Sequence, residues 1–434
     1  MTALSREMMI QCLTQGQVLP DWFTQAQEEA ETIWSHLALP SIERVRYHRW
    51  PLFDSEWMDL SALSDPLTYG LSTVFDQDNS GHIVHAGNQT IYSSVPQELL
   101  DRGLIVMDLF EAMDQYPDMV RASLFSVIPY DQDKVAAFNT AYLNGGVFVY
   151  VPSGLKVDLP IDVLLVQDSR YQQAFNKRVL IVADQDAKLQ IMEHIQTEGD
   201  HANSATVLVE VVAKAGAQIN YNAIDTFGQS THAYIKRYAR TDQDAHINWA
   251  IGCLNDGNTI LDLDTYLDGT GSESQVAIVG VSNGRQIQAV DSKVVNRGRH
   301  SIGNILQHGV ILDKAVLTFN GIGLIEKGAK QADAQQESRV LMLSDFARGD
   351  ANPILLIEEF EVTAGHAASV GQVDQEQLYY LMSRGLTKEA AEYLVIRGFL
   401  GPVIVQMPSQ KIRQELTQLI DAKLQSTLPV KVGE

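Results

Sequence analysis

The chain changes its hydrophobic period twice. Leu13, Trp22, Phe23, Ala26, Ala30, Ile33, Trp34 and Leu37 recur at helical spacing and predict a helix within residues 1–35. Pro40 breaks that pattern, and residues 41–75 are aromatic-rich and irregular. PQELLDRGLIVMDLFEAM and DKVAAFNTAYLNGG then read as further helices, the second closed by Asn144-Gly145-Gly146. From Val147 the period becomes two. VFVYV, KVDLPIDVLLV, RVLIVA, KLQIMEHI, TVLVEVV and AQINYNAI are short alternating or wholly apolar runs, punctuated by Gly, Asp and Asn. No helix-length pattern separates them, which argues against an alternating α/β sheet. Helical spacing returns at Gln375 in DQEQLYYLMSRG, TKEAAEYLVIRGFLGPVI and SQKIRQELTQLIDAKL. Thr387 is placed to cap the middle one, and Gly385 and Gly398 to stand just past helix ends.

The strand region repeats itself. Ala187-Lys-Leu-Gln-Ile is echoed from Ala217, Ala245, Ser274 and Ala315, at gaps of 30, 28, 29 and 41 residues. A small residue before alternating apolar positions, at a near-constant period, predicts a solenoid whose coils bury their inner faces against each other. A meander or sandwich is the competing fold. The long last gap predicts an inserted loop near NGRQIQAVDSKVVN, a segment that can also supply strands. Residues one coil apart stack, so Tyr221 and Trp249 are expected to meet as a core aromatic pair. The fold expected is a mainly β protein: a right-handed parallel β-helix over 146–372, between an N-terminal helical and irregular domain (1–145) and a C-terminal helical domain (373–434). The C-terminal helices are expected to cap the open end of the solenoid.

Composition narrows the function. With 32 basic and 54 acidic residues the net charge is −22, which disfavours nucleic acid and anionic lipid as partners. The first residues carry no signal-peptide pattern, and no apolar run is long enough to span a bilayer, so the expected compartment is the cytoplasm. Two cysteines, Cys12 and Cys253, exclude a disulfide framework. Cys253 lies in the solenoid and reads as a buried structural thiol, Cys12 as a surface thiol on the first helix. Two thiols also fall short of the four that an iron–sulfur cluster takes. Phosphate-cradling and nucleophile-elbow motifs are absent from the sequence. His194, His201, His232, His246, His300 and His308 show no metal-ligand spacing. Glu358-Glu359-Phe360-Glu361 reads as a charged strand edge, with carboxylates also suited to a hard cation.

The remaining candidate is His366, alone among small residues in Gly365-His366-Ala367-Ala368-Ser369-Val370-Gly371 and followed by Tyr379-Tyr380-Leu381-Met382-Ser383-Arg384-Gly385. An open imidazole of this kind is a good ligand for iron or zinc. In this order the two motifs resemble those of the SufB/SufD family, scaffold proteins of the Suf iron–sulfur cluster assembly system. The resemblance is strong over 310–400, fair over 145–310 and weak before that.

The resemblance implies a non-catalytic scaffold on the SufD side, similar in fold to a SufB-like paralogue and paired with it through β-helix edges. It implies that each paralogue binds one SufC-like ABC ATPase on its C-terminal helical region, here through Tyr379, Tyr380, Arg384, Leu394 and Phe399. His366 matches the family histidine implicated in cluster assembly where the paralogues meet. The cluster is then transient and shared, with no cofactor held stably by the isolated chain. A flavin has been associated with the family complex, and the resemblance leaves its binding by this chain open, as it does a homodimer of the isolated chain. Two thiols common in the family are missing: Ala364 stands two residues before His366, and Gln336-Glu337-Ser338-Arg339-Val340 holds no cysteine. Both absences argue against the cluster-holding SufB. The other alternative is a β-helix polysaccharide-active enzyme using Asp262 and Asp264, which alternate onto one face.

Overall fold

The computed structural model describes residues 19–53, 81–170 and 172–427; the readings at Leu13 and Cys12, and that of 54–75, lie outside them. The chain winds back and forth between two sheets. The ten-stranded sheet contains β1 (Gly81–Ala86), β2 (Gln89–Ser94), β5 (Ile161–Ser169), β7 (Lys188–Gly199), β9 (Gln218–Thr226), β11 (His246–Cys253), β13 (Glu273–Ser282), β15 (Ile302–Ile311), β17 (Asp333–Met342) and β19 (Thr363–Gln372). The nine-stranded sheet contains β3 (Ile105–Asp108), β4 (Gly146–Val151), β6 (Phe175–Ala183), β8 (Asn203–Ala213), β10 (Thr231–Thr241), β12 (Asn258–Leu267), β14 (Ile287–Asn296), β16 (Val316–Ile325) and β18 (Arg348–Ile357). From β4 onward each strand pairs in parallel with the strand two places on, which is the expected parallel β-solenoid.

Pleat parity divides each strand. Leu189, Ile191 and Ile195 of β7 face the lumen with Ile219, Tyr221 and Ala223 of β9, and all are buried. Tyr221 and Trp249 stand in register and their rings meet 4.8 Å apart, as the spacing implies. The turns stack too: Asp186, Gly216, Asp244 and Gly271 all take a left-handed backbone, which Gly and Asp tolerate best.

Three readings need correction. The segment taken for an inserted loop supplies β14. The echo at Ala315 opens β16, in the opposite sheet, so the long gap is a change of sheet and not an insertion. The echo at Ser274 is two residues late, because Glu273 pairs with His246 and Ser272 is the true counterpart of Ala245. Strands also begin before Val147. Within PQELLDRGLIVMDLFEAM, Ile105–Asp108 is β3, paired antiparallel with β4, and β1 extends the other sheet beside β5.

Helices cover the two outer faces. Over the nine-stranded sheet lie α1 (Asp21–Ile33), α3 (Leu109–Gln115), α4 (Pro117–Ser123) and α5 (Lys134–Ala141), with Tyr47 packed on Tyr234, whereas α2 (Gln97–Asp101) sets Leu99 against the lumen cluster. Glu210 of β8 fastens this layer by accepting the backbone N–H groups of Phe125, Val127 and Ile128. At the C-terminus are α6 (Gln375–Ser383), α7 (Lys388–Gln406) and α8 (Gln410–Thr427). Thr387 caps α7 by accepting from the Ala390 N–H, and Gly385 takes the left-handed turn before it. Gly398 does not end the helix. α7 runs through Gly398, Gly401 and Pro402, because Leu400, Val403 and Ile404 hold it down. α7 and α8 lie along the outer face of the ten-stranded sheet, against Met192, Ile224, Ala250, Val279 and Val310, rather than over the end of the solenoid.

A cluster of three charged side chains is sealed in the lumen. Arg237 donates to Glu193 (2.9 and 2.6 Å) and to Asp225 (2.9 and 2.6 Å), and all three are fully buried. Burial raises the Glu193 carboxyl, opposed by the guanidinium. Removing one partner of such a set strands the others in a dry interior. Arg237→Ala is therefore expected to cost about 3–5 kcal/mol, read as a lowered urea midpoint; a loss below about 1 kcal/mol would mean that water solvates the lumen there.

Candidate functional site at the open coil

Both sheets end without a partner strand, at β18 and β19, among the described residues. Interior strands such as β8 are buried at every position, whereas most of β19 is exposed. Phe360, in the turn between β18 and β19, is 98% exposed; Leu356 and Ile357 at the end of β18, and Val370 near the far end of β19, are exposed as well. Free strand edges with apolar side chains are surfaces that pair with another chain.

His366 sits on this last coil, opposite Gln336. Gln336 is a lumen residue, so the shared register puts His366 at the mouth of the lumen. It is exposed, and its side chain makes no hydrogen bond to another described residue. Behind it the lumen turns polar. Ser338 donates to the Gln307 carbonyl oxygen at 2.9 Å, Gln307 donates to Ser292 at 2.5 Å, and Gln336 donates to the Ile354 backbone carbonyl at 3.1 Å. Small neighbours and an open coil leave the imidazole free to take a metal ion. One imidazole does not complete a site, and among the described residues no three His, Cys, Asp or Glu are grouped to hold a metal.

Cys253 does not join it. It lies in the lumen on β11, four strand steps from β19 or about 19 Å, and burial pushes its thiol well up, away from the reactive thiolate. The carboxylate run is taken up in turns: Glu359 accepts from the Gly328 N–H at 3.0 Å, and Glu361 pairs with Lys330 at 3.1 Å. The coils do not gather the scattered histidines. His194 approaches Glu415, His232 meets Asn258, His246 pairs with Glu273 and His308 with Glu337.

The other candidates divide. Tyr379 is 75% exposed on α6, and Arg384 lies over the Tyr380 ring, 5.1 Å from its centre, and donates to its hydroxyl. Leu394 is exposed on α7. Phe399 is elsewhere: half-buried, it stacks on His308 of β15 at 4.9 Å. Beside His366 a groove of about 770 Å³ runs over Asn248, Gln275, Asn304 and Gln335 to Gln406 and Pro408. Its lining holds Glu337 and no Lys or Arg, so it does not fit the phosphate of a flavin nucleotide.

Asp262 and Asp264 do share a face, but it is buried under the N-terminal layer and lines no open groove. Lys236 bridges Asp133 (2.6 Å) and Asp262 (3.1 Å), and Lys293 holds Asp264 at 2.5 Å. Asp291 stands in register beside Asp262, with the Asn320 amide donating to it. Burial and then the Asp262 charge raise Asp291 to about 7 and Asp264 to about 6.

Two family models match the chain: "SUF system FeS cluster assembly, SufBD core domain" over residues 165–399, and "SufBD protein N-terminal region" over 79–163. The chain belongs to the SufB/SufD family. It is 38% identical over 409 residues to the iron–sulfur cluster assembly protein SufD of Bacillus subtilis, covering 92% of each chain. An iron–sulfur cluster assembly SufBD family protein of Staphylococcus saprophyticus is 24% identical over 342 residues, 79% of this chain and 73% of that one. Within the SufB/SufD family the chain is most like SufD, as the motifs around His366 and Tyr379 imply. No described helix is long and apolar enough to cross a membrane.

The raised acids make a pH test. A carboxyl whose folded value exceeds its unfolded one destabilises the fold once the unfolded chain ionises, so stability falls as pH rises from about 4 to about 7. For Asp291 the rise from 3.8 to about 7 is worth at most about 4 kcal/mol. Asp291→Asn is expected to flatten the decline in urea midpoint between pH 4 and 7; an unchanged slope would show that Asp291 ionises freely in the fold.

Proposed function

We propose that this chain is the SufD-like, non-catalytic scaffold subunit of an ATP-dependent iron–sulfur cluster assembly complex. The observation that carries the reading is the open coil: two free strand edges, exposed apolar side chains around them, and an exposed imidazole at the lumen mouth. A SufB-like paralogue with the same solenoid would continue both sheets across β18 and β19. The cluster is cargo formed at that joint. His366 contributes its imidazole there, and the paralogue contributes the thiolates that this chain lacks.

The second surface is α6 with the exposed part of α7. Tyr379, the Tyr380–Arg384 pair and Leu394 form an aromatic, apolar and cationic patch of the kind that anchors protein interfaces. Its proposed partner is a SufC-like ABC ATPase, which supplies the nucleotide chemistry for which this sequence has no phosphate loop. Phe399 is assigned to the inner side of α7 and not to that surface.

His366→Ala on the co-expressed complex is the direct test. The variant is expected to assemble with both partners and to lower reconstituted cluster, read by iron and sulfide content and visible absorption, at least tenfold. Full cluster yield from an intact variant complex would remove His366 from the site.

A further inference from the structure

His308 lies on the outer face of β15 and is only 2% exposed. Its Nδ1 is 2.8 Å from the backbone carbonyl oxygen of Phe399 on α7, and its Nε2 is 3.0 Å from a Glu337 carboxylate oxygen on β17. A carbonyl and a carboxylate both only accept. Each ring nitrogen must therefore carry a proton for both bonds to form, and neutral imidazole has one N–H to give. The Phe399 ring, stacked 4.9 Å away at 26°, offers its face to the resulting cation. The Glu337 carboxyl is held below its usual range, its burial outweighed by the His308 and Arg339 contacts, which keeps it an acceptor.

We infer that His308 is a positioning residue: as an imidazolium it clasps α7 to β15 and β17, the two strands that precede β19, which carries His366, in its sheet. Glu337 stands opposite Ala367, so the clasp joins the Phe399 turn of α7 to the strand that pairs with β19. Of the other groups facing the ring, Arg339 is a like charge opposite His308 in register, drawn toward the same Glu337 carboxylate at 3.0 Å. β13 presents Val279, and α7 the Phe399 ring and carbonyl. Arg397 of α7 is engaged by Asp421 of α8 at 3.0 Å. Farther along the same face, Lys423 anchors α8 through the Leu254 and Asn255 carbonyls and Asp256, and Glu415 of α8, raised by burial to about 6, lies 3.6 Å from His194 of β7. The α7 attachment is thereby set to loosen when the imidazole loses its second proton. The relevance of that attachment to cluster assembly rests on the reading of α6 and α7 as the ATPase-docking region; the clasp itself does not.

The test is amide hydrogen exchange on the full chain alone, without partners, at pH 5.5 and 8.5, corrected for intrinsic rates. Peptides covering 388–406 are expected to lose about tenfold in protection at the higher pH. Glu337→Gln separates the clasp from general packing. A glutamine accepts from imidazolium and donates to neutral imidazole, so both protonation states are bridged and the pH step should vanish. His308→Gln should show the low protection at both values. Wild-type α7 protection independent of pH, or a pH step undiminished in Glu337→Gln, would overturn the proposal. Because no ATPase is present, either result stands apart from the docking reading.

Discussion

A solenoid coil is stable only when a neighbour lies against it. Every interior strand here has a partner on each side and a filled lumen beneath, so that β5, β6 and β8 are buried at each position. The same requirement goes unmet at β18 and β19, where the ladder stops. The site is a consequence of that interruption. His366 would be one more lumen residue if another coil followed; on the last coil it is open.

The covering layers explain why the opening is at the end and not along the sides. The outer face of the nine-stranded sheet is sealed by the N-terminal layer, held by Glu210 on three backbone amides and by Lys236 between Asp133 and Asp262. The outer face of the ten-stranded sheet is sealed by α7 and α8, whose Ile396, Leu400, Val403, Ile412 and Leu416 form one apolar cluster with the strands. Had those helices closed the end, as solenoid caps commonly do, no strand edge would be free. Their side-on position leaves both the edge and the outward surface of α6 available.

The solenoid was legible in the sequence because its signal is local and repeated: period-two runs, a small residue at the turn, and stacking of Tyr221 on Trp249. The echo alone could not say which sheet a repeat occupied, and Ala315 and Ala245 open the same kind of turn on opposite sheets. Strands β1 and β3 were hidden because they are short, and β3 lies inside an apolar stretch that also fits a helix. The buried Arg237 set was readable by parity, since Glu193 falls between Ile191 and Ile195, and Arg237 between Ile235 and Ala239, all lumen positions. The pairing itself joins strands of two different sheets and has no sequence signature. His366 was singled out through motif resemblance rather than residue physics. The placement of Phe399 was hidden because a nearly all-round apolar helix does not reveal which side meets the sheet until His308 is seen beneath it.

The central claim is that the open coil and the α6 surface are interfaces of one assembly. Native mass determination on this chain co-expressed with SufB-like and SufC-like partners tests it most directly. The account predicts a complex of one copy of this chain, one paralogue and two ATPase subunits, in which substituting charged residues for Leu356 and Val370 releases the paralogue alone. A chain recovered free of both partners, or a complex that keeps the paralogue after those substitutions, would contradict it.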